Sequence, residues 1–222
     1  MSTKLQILNA AESLFAEHGF ADTSLRQITN QANVNLAAVN YHFGSKKGLV
    51  QASVGRYMEC LVPVVDGALD TLQRKTEQAS IEEVLQAIVP AFLTLETVRH
   101  DGTAIFMRLL GRGYAETQGH LRKFVQDNYG ASLSRLMAMI KTALPQLSEE
   151  QVFWRIHFAL GTFVFTMASS QALLEISESD YESASTVQQI IQRLVPYIAS
   201  GMSANEIASD VSTNNIQSLA LG

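Results

Sequence analysis

Apolar positions recur every three to four residues along almost the whole chain, and no stretch sustains the strict alternation of a half-buried strand. The pattern predicts an all-α protein. A first helix runs from about Thr3 to His18, with Ile7, Ala11, Leu14, Phe15 and His18 on one face and Gly19 as its stop signal. Ser24 opens a second helix, where Gln27 completes a capping box and Leu25, Ile28 and Ala32 form the apolar stripe. After the turn Asn33-Val34-Asn35, a third short helix, Leu36 to Phe43, turns Val39 and Phe43 inward. Gly44-Ser45 then separates it from a longer helix that begins near Lys46.

Beyond Pro63 the helical period continues with short breaks. Ser80-Ile81-Glu82-Glu83 and Ser148-Glu149-Glu150-Gln151 are capping boxes, opening helices to about Val98 and about Ile176. Between them lie a glycine-punctuated stretch, Gly102 to Gly119, and a helix from about Leu121 to Leu144 that ends before Pro145. A last helix is expected over Ala184 to Ser200, stopped by Gly201. The organisation read from this is a three-helix head over residues 1–48, a larger helical body over 49–204, and a small, polar, flexible tail over 205–222.

Charge sharpens that division. Residues 1–56 carry five basic and three acidic side chains, net +2, while the remainder carries eleven basic and eighteen acidic, net −7. A basic head on an acidic body suits a polyanionic partner at one end only. A lone cysteine, Cys60, supports neither a disulfide nor a metal site, and His100, His120 and His157 have no metal-ligand spacing. No metal and no cofactor are implied. The longest uncharged run, Phe158 to Leu174, is too short for a membrane span. No segment reads as a secretory leader, so a cytoplasmic protein without a membrane partner is expected. G-x-S-x-G, Walker A, H-E-x-x-H and C-x-x-C are all missing, which argues against an enzyme.

The second and third helices, joined by about three residues, have the form of a helix-turn-helix. With Val39 and Phe43 inward, the third leaves Ala37, Ala38, Asn40, Tyr41 and His42 wholly or partly outside. A face with two small residues, hydrogen-bonding groups and no acid suits close approach to phosphates and base edges. Arg26 and Lys46 would flank the groove as phosphate clamps.

The blocks Ile7-Leu8-Asn9-Ala10-Ala11 with Leu14-Phe15, Gly19-Phe20-Ala21-Asp22-Thr23-Ser24, Ile28-Thr29, Ala32-Asn33-Val34 and Tyr41-His42-Phe43-Gly44-Ser45-Lys46-Lys47-Gly48-Leu49 resemble the DNA-binding region of the TetR family. The resemblance covers roughly the first 50 residues. It implies a dimeric repressor of a palindromic operator in double-stranded DNA, with Thr23 or Ser24 on phosphate, Tyr41 and Lys46 as backbone anchors, and Ala37, Ala38 and Asn40 near bases. The candidate DNA-contacting set is thus Thr23, Ser24, Arg26, Asn35, Ala37, Ala38, Asn40, Tyr41, His42 and Lys46. In the body, Phe106-Met107-Arg108-Leu109-Leu110-Gly111, Gly119-His120-Leu121-Arg122 and Phe153-Trp154-Arg155-Ile156-His157-Phe158 are similar to the PsrA-like, fatty-acid-responsive branch of that family.

That likeness implies a small hydrophobic effector, a long-chain fatty acid or its coenzyme A ester. An apolar cavity for it would draw on Phe92, Leu95, Phe106, Met107, Leu110, Met137 and Phe158, although each of these also suits ordinary core. Arg108 and Arg155, set among apolar neighbours, could each meet an anionic head group or pair with an acid such as Glu96 or Glu116. A homodimer is expected through the last two long helices, whose apolar surface includes Phe158, Phe163, Phe165 and Met167. Two rival readings are a repressor that senses flat aromatic or cationic compounds, and a helical adaptor that binds protein instead of DNA.

Overall fold

The computed structural model describes residues 2–116 and 119–205, which form ten α-helices and one 3₁₀ segment, with no strand among them. The expected flexible tail at 205–222 lies, apart from its first residue, outside the described residues. In order, the helices are α1 Thr3–His18, α2 Leu25–Ala32, α3 Leu36–Phe43, α4 Lys46–Lys75, α5 Ile81–Ile88, α6 Gly102–Ala115, α7 Gly119–Ala143, α8 Glu149–Ala168, α9 Ser170–Tyr181 and α10 Val187–Ser203. Among the described residues, no single helix is long and apolar enough to cross a membrane.

Local chemistry sets most of these boundaries. Ser24 with Gln27, Ser80 with Glu83 and Ser148 with Gln151 form the three expected capping boxes, and Thr186 with Gln189 forms a fourth that starts α10. The last helix therefore begins later than expected and continues through Gly201 to Ser203. The helix expected to run from Ser80 to Val98 changes character midway. Pro90 has no N–H to return to the preceding turn, and Val89–Thr97 tightens into a 3₁₀ segment. The long apolar helix expected up to Ile176 is likewise broken at Ser169, where α8 and α9 bend by 69°. No glycine or proline marks that corner. There the Ala168 carbonyl accepts a hydrogen bond from the Arg108 guanidinium at 3.1 Å.

Helices α1 to α3 pack on the first turns of α4 around Ile7, Phe15, Phe20, Ile28, Val39 and Leu49, all at most 1% exposed. His18, placed by periodicity on the inner face of α1, is instead exposed in the last turn, 3.8 Å from the carboxylate of Glu17.

Two polar seams fasten this head to the body. In the first, fully buried Glu12 of α1 accepts from Arg56 at 3.0 Å, from Arg99 at 3.3 Å and from the Tyr57 hydroxyl at 2.9 Å. Arg56 continues to the Val98 carbonyl, and Arg99 to the Asn9 carbonyl and the Ser13 hydroxyl. Burial, then the neighbouring Glu12 carboxylate, pushes the Tyr57 phenol well above its ordinary pKa. In the second seam, the end of α6 reaches the other end of α1. Arg112 donates to the Glu17 carbonyl at 2.9 Å, while Glu116 accepts from the amides of Phe20 and Ala21 at 2.9 and 2.8 Å.

Candidate nucleic-acid interface

The exposed face of the head is built by caps and a glycine. Ser24 accepts from the Gln27 amide and its hydroxyl donates to the Gln27 side-chain oxygen at 2.7 Å, so α2 starts at a fixed point. Asn33 ends α2 in the left-handed region, with φ of 52°, and Asn35 caps α3 by accepting from the Ala38 amide at 2.9 Å. Gly48 then lets α4 begin hard against the end of α3, because a β-carbon there would lie 2.2 Å from the Phe43 carbonyl oxygen. The angle of α3 is thus fixed at both ends before any tertiary contact is counted.

Only Val39 of α3 is fully buried, and it secures the helix to the head. Leu36, Ala37, Asn40 and Tyr41 face outward, with Tyr41 85% exposed, and Ala38 and His42 sit half-buried at the margins. Phe43, expected to point inward, is itself only partly buried against the core. The His42 ring meets the Tyr41 ring edge-on at 5.0 Å, which steadies the tyrosine without using its hydroxyl. Among the described residues, the side chains of Asn40, Tyr41 and Arg26 hold no hydrogen bond within the chain. Their donors and acceptors are left to an external partner.

Four of the sequence-selected residues have internal duties. Thr23 is fully buried and its hydroxyl donates to the carbonyls of Gly19 at 2.7 Å and Leu14 at 3.2 Å, which takes it away from a phosphate. It ties the end of α1 to the turn before α2, a local bond that a polar residue beside an N-cap does not reveal. Ser24 and Asn35 are exposed but spend an oxygen on capping, so any contact they make with DNA is shared with that role. Lys46 is half-buried and donates to the Ala21 carbonyl at 3.0 Å, beside exposed Lys47. These two lysines and the N-terminus of α4 make a positive edge next to α3.

The candidate effector residues do not converge on one cavity. Leu95, Phe106 and Met107 are buried in the continuous apolar cluster, with Phe92 and Leu110 packed against it. Phe92 meets Phe163 edge-on at 4.9 Å, and Phe106 stacks on Tyr57 at 5.3 Å. Met137 and Phe158 lie on the outer surface, 38% and 65% exposed, and so do not join that interior. Neither basic candidate takes a carboxylate: Arg108 holds the Ala168 carbonyl, and Arg155 holds the Met202 carbonyl at 2.7 Å. The residue that sequence reasoning missed is Glu12. Its spacing from Leu8 and Phe15 already places it on the inner face of α1, but a single acid there looks like a lapse in the pattern rather than a buried hub.

Known proteins agree with this architecture. Residues 7–53 match the profile of bacterial regulatory proteins of the tetR family, and residues 86–201 match the tetracyclin repressor-like C-terminal domain. YttP of Bacillus subtilis, a probable HTH-type transcriptional regulator by description, is 33% identical over 88 residues, 40% of this chain and 41% of that one. IcaR of Staphylococcus aureus, described as a negative transcriptional regulator of a biofilm operon, is 29% identical over 93 residues, 42% of this chain and 47% of that one. The matches thus span less than half the length of these relatives. The fold is similar to that of a HlyIIR mutant, with a TM-score of 0.62 at 18% identity, covering 92% of this chain and all of that one. A TetR-like transcriptional regulator from Rhodococcus sp. RHA1 gives 0.55 at 16% identity, covering 90% and 93%. Head and body profiles together cover most of the chain, and the protein belongs to the TetR family of bacterial transcriptional regulators.

Proposed function

We propose that the chain is a homodimeric, ligand-responsive repressor that binds a palindromic operator and acts in the cytoplasm as a binding protein, not an enzyme. One observation carries the DNA assignment. The outward face of α3 offers Ala37, Asn40 and Tyr41, whose side chains hold no internal hydrogen bond among the described residues, beside Arg26 and the Lys46–Lys47 edge. Small side chains allow the helix to approach base edges, and the flanking groups suit phosphates. The test is a mobility-shift titration against an operator selected from a random duplex pool. Tyr41→Ala should weaken binding at least tenfold, about 1.4 kcal/mol, at unchanged thermal stability. Wild-type affinity should also fall steeply with salt. Unaltered affinity in Tyr41→Ala, or binding indifferent to salt, rejects this face as the DNA contact and revives a protein partner.

Pairing of two chains is supported by the outer surface of α8 and α10. Phe153, Trp154, Phe158, Phe165 and Tyr197 are each more than half exposed, whereas Phe163 and Met167 are used inside the chain. So long an apolar face is costly to leave in water, and a two-fold site needs paired recognition helices. A monomeric mass by light scattering at micromolar concentration, with operator present, counts against the pairing.

For the effector we favour a long-chain fatty acid or acyl-coenzyme A that relieves repression. Support comes from the resemblance in the body; the packed cluster around Leu95, Phe106 and Met107 offers no open cavity of its own. Oleate, oleoyl-coenzyme A and a flat cationic dye titrated against the operator complex separate the readings. Release by the dye alone rejects the acyl effector and leaves the repressor.

A further inference from the structure

We propose that the open groove between α6, the end of α1 and the α8–α9 corner binds a small organic anion, a carboxylate on an apolar body, and that the bound anion competes for the Arg112 contact holding head to body. The proposal rests on the reading of the chain as an effector-responsive regulator and gives the effector a site at the junction of head and body. The groove has a volume of about 510 Å³, within the usual range for small-molecule sites.

Its positive side is built from three elements. Arg108 and Arg112 stand one turn apart on α6 and both line the groove. Each donates to a single main-chain carbonyl, Ala168 at the end of α8 and Glu17 at the end of α1. A guanidinium has five N–H donors, so most of each fork is unused by these bonds. Among the described residues, neither has a carboxylate within ion-pair distance. The nearby acids are engaged elsewhere: Glu17 with His18, Glu116 with the amides of Phe20 and Ala21, and Glu175 with the side chain of Gln171.

The third element is the start of α9. Ser169, Gln171 and Ala172 line the same groove, and α9 begins with no side-chain cap. The start of α9 shares Ser169 with the end of α8, so the two dipole ends largely offset each other and what the helix start offers is its uncapped amide hydrogens. Two under-used guanidiniums and this helix start therefore meet across one space. The other walls, Val164, Ala168 and Ala172 among them, are apolar and would take the body of the ligand. A carboxylate can accept two parallel N–H bonds from one guanidinium, whereas a carbonyl oxygen offers a single atom. An anion there draws Arg112 from Glu17 and leaves the packing of α6 on α1 and the Glu116 bonds to the Phe20 and Ala21 amides to hold α6 to the head.

The test uses isothermal titration of the full chain with dodecanoate below its micelle concentration. Dodecanol and dodecyltrimethylammonium serve as tail controls, and dodecyl phosphate separates carboxylate from phosphate recognition. Dodecanoate is expected to bind at one site per chain, at least tenfold more tightly than dodecanol. Arg108→Gln should weaken dodecanoate at least tenfold while leaving dodecanol unchanged, and Ala172→Phe, at an exposed position, should abolish binding by filling the groove. Wild-type melting curves for both variants exclude misfolding, and a variant that melts early is replaced by Arg108→Lys or Ala172→Leu. Equal dodecanoate affinity in wild type and both variants, or equal affinity for dodecanol, overturns the site, and tighter binding of dodecyl phosphate than dodecanoate overturns the carboxylate assignment. Operator release by dodecanoate that persists in Ala172→Phe places the effector elsewhere and leaves the repressor standing. Failure of the wild-type chain to bind any operator rejects the repressor reading, while the titration still decides the groove.

Discussion

The two seams that join head to body differ in kind. At Glu12 a carboxylate with no exposed surface is shared by two arginines and a phenol, so every partner depends on the others being present. At the end of α6, the contacts run from half-buried side chains to main-chain groups near the surface, where water can take either partner's place. The first seam fixes where the head sits. The second can be exchanged without exposing a buried charge, and it is the one beside the groove.

The largest effect should therefore come from Glu12→Ala, which leaves Arg56 and Arg99 facing a buried site without a counter-charge. A loss of about 3–5 kcal/mol in urea unfolding is expected, and a loss below about 1 kcal/mol would show that the cluster is solvated after all. Tyr57→Phe removes one charge-assisted hydrogen bond and keeps the stack on Phe106, so about 1.5 kcal/mol is expected from the same measurement. Glu116→Ala should cost less than about 1 kcal/mol globally. It should nevertheless speed hydrogen exchange at the Phe20 and Ala21 amides, and unchanged exchange there would mean that the second seam does not restrain the head.

The smallest effect concerns pH. At the start of α7, burial and then the charge of Lys47 lower the His120 pKa, and among the described residues its ring nitrogen Nε2 is buried without a partner. A depressed histidine pKa means that the unfolded chain binds the proton more readily. Stability should fall as pH drops below the ordinary histidine range, about 6.5. His120→Asn should flatten that slope between pH 7 and 5, and an identical slope in both proteins would assign the acid sensitivity to carboxylates.

The contrast between the seams also explains what the sequence could show. Elements fixed by near neighbours were legible: three capping boxes, the Gly19 stop and the α2–α3 turn all stand where spacing puts them. Some misreadings have local causes, such as Pro90 and the Thr186–Gln189 box, and others arise where a distant partner decides. The break at Ser169 has no local breaker, and Arg108, which meets it, lies 60 residues away. Thr23 has the chemistry of a phosphate ligand, but its bonds to the carbonyls of Gly19 and Leu14, four and nine residues back, turn it inward. The groove takes walls from α1, α6, α8 and α9, and no sequence spacing brings these together.

The position of the Glu12 cluster along α4 has a mechanical consequence. Thirty residues at 1.5 Å per residue make α4 a rod of roughly 45 Å. Arg56 and Tyr57 fasten it about 16 Å from the lysine pair at one end, and about 27 Å from Lys75 at the other. Taken as rigid through Pro63, which lies on the longer arm, and pivoted there, α4 is an unequal beam. A tilt of about 5° moves its far end by roughly 2.4 Å and its DNA-facing end by roughly 1.4 Å in the opposite direction. Motion arriving through the long arm is thus reversed and reduced, whereas a push at the α1–α6 junction acts on the head directly and bypasses that reduction.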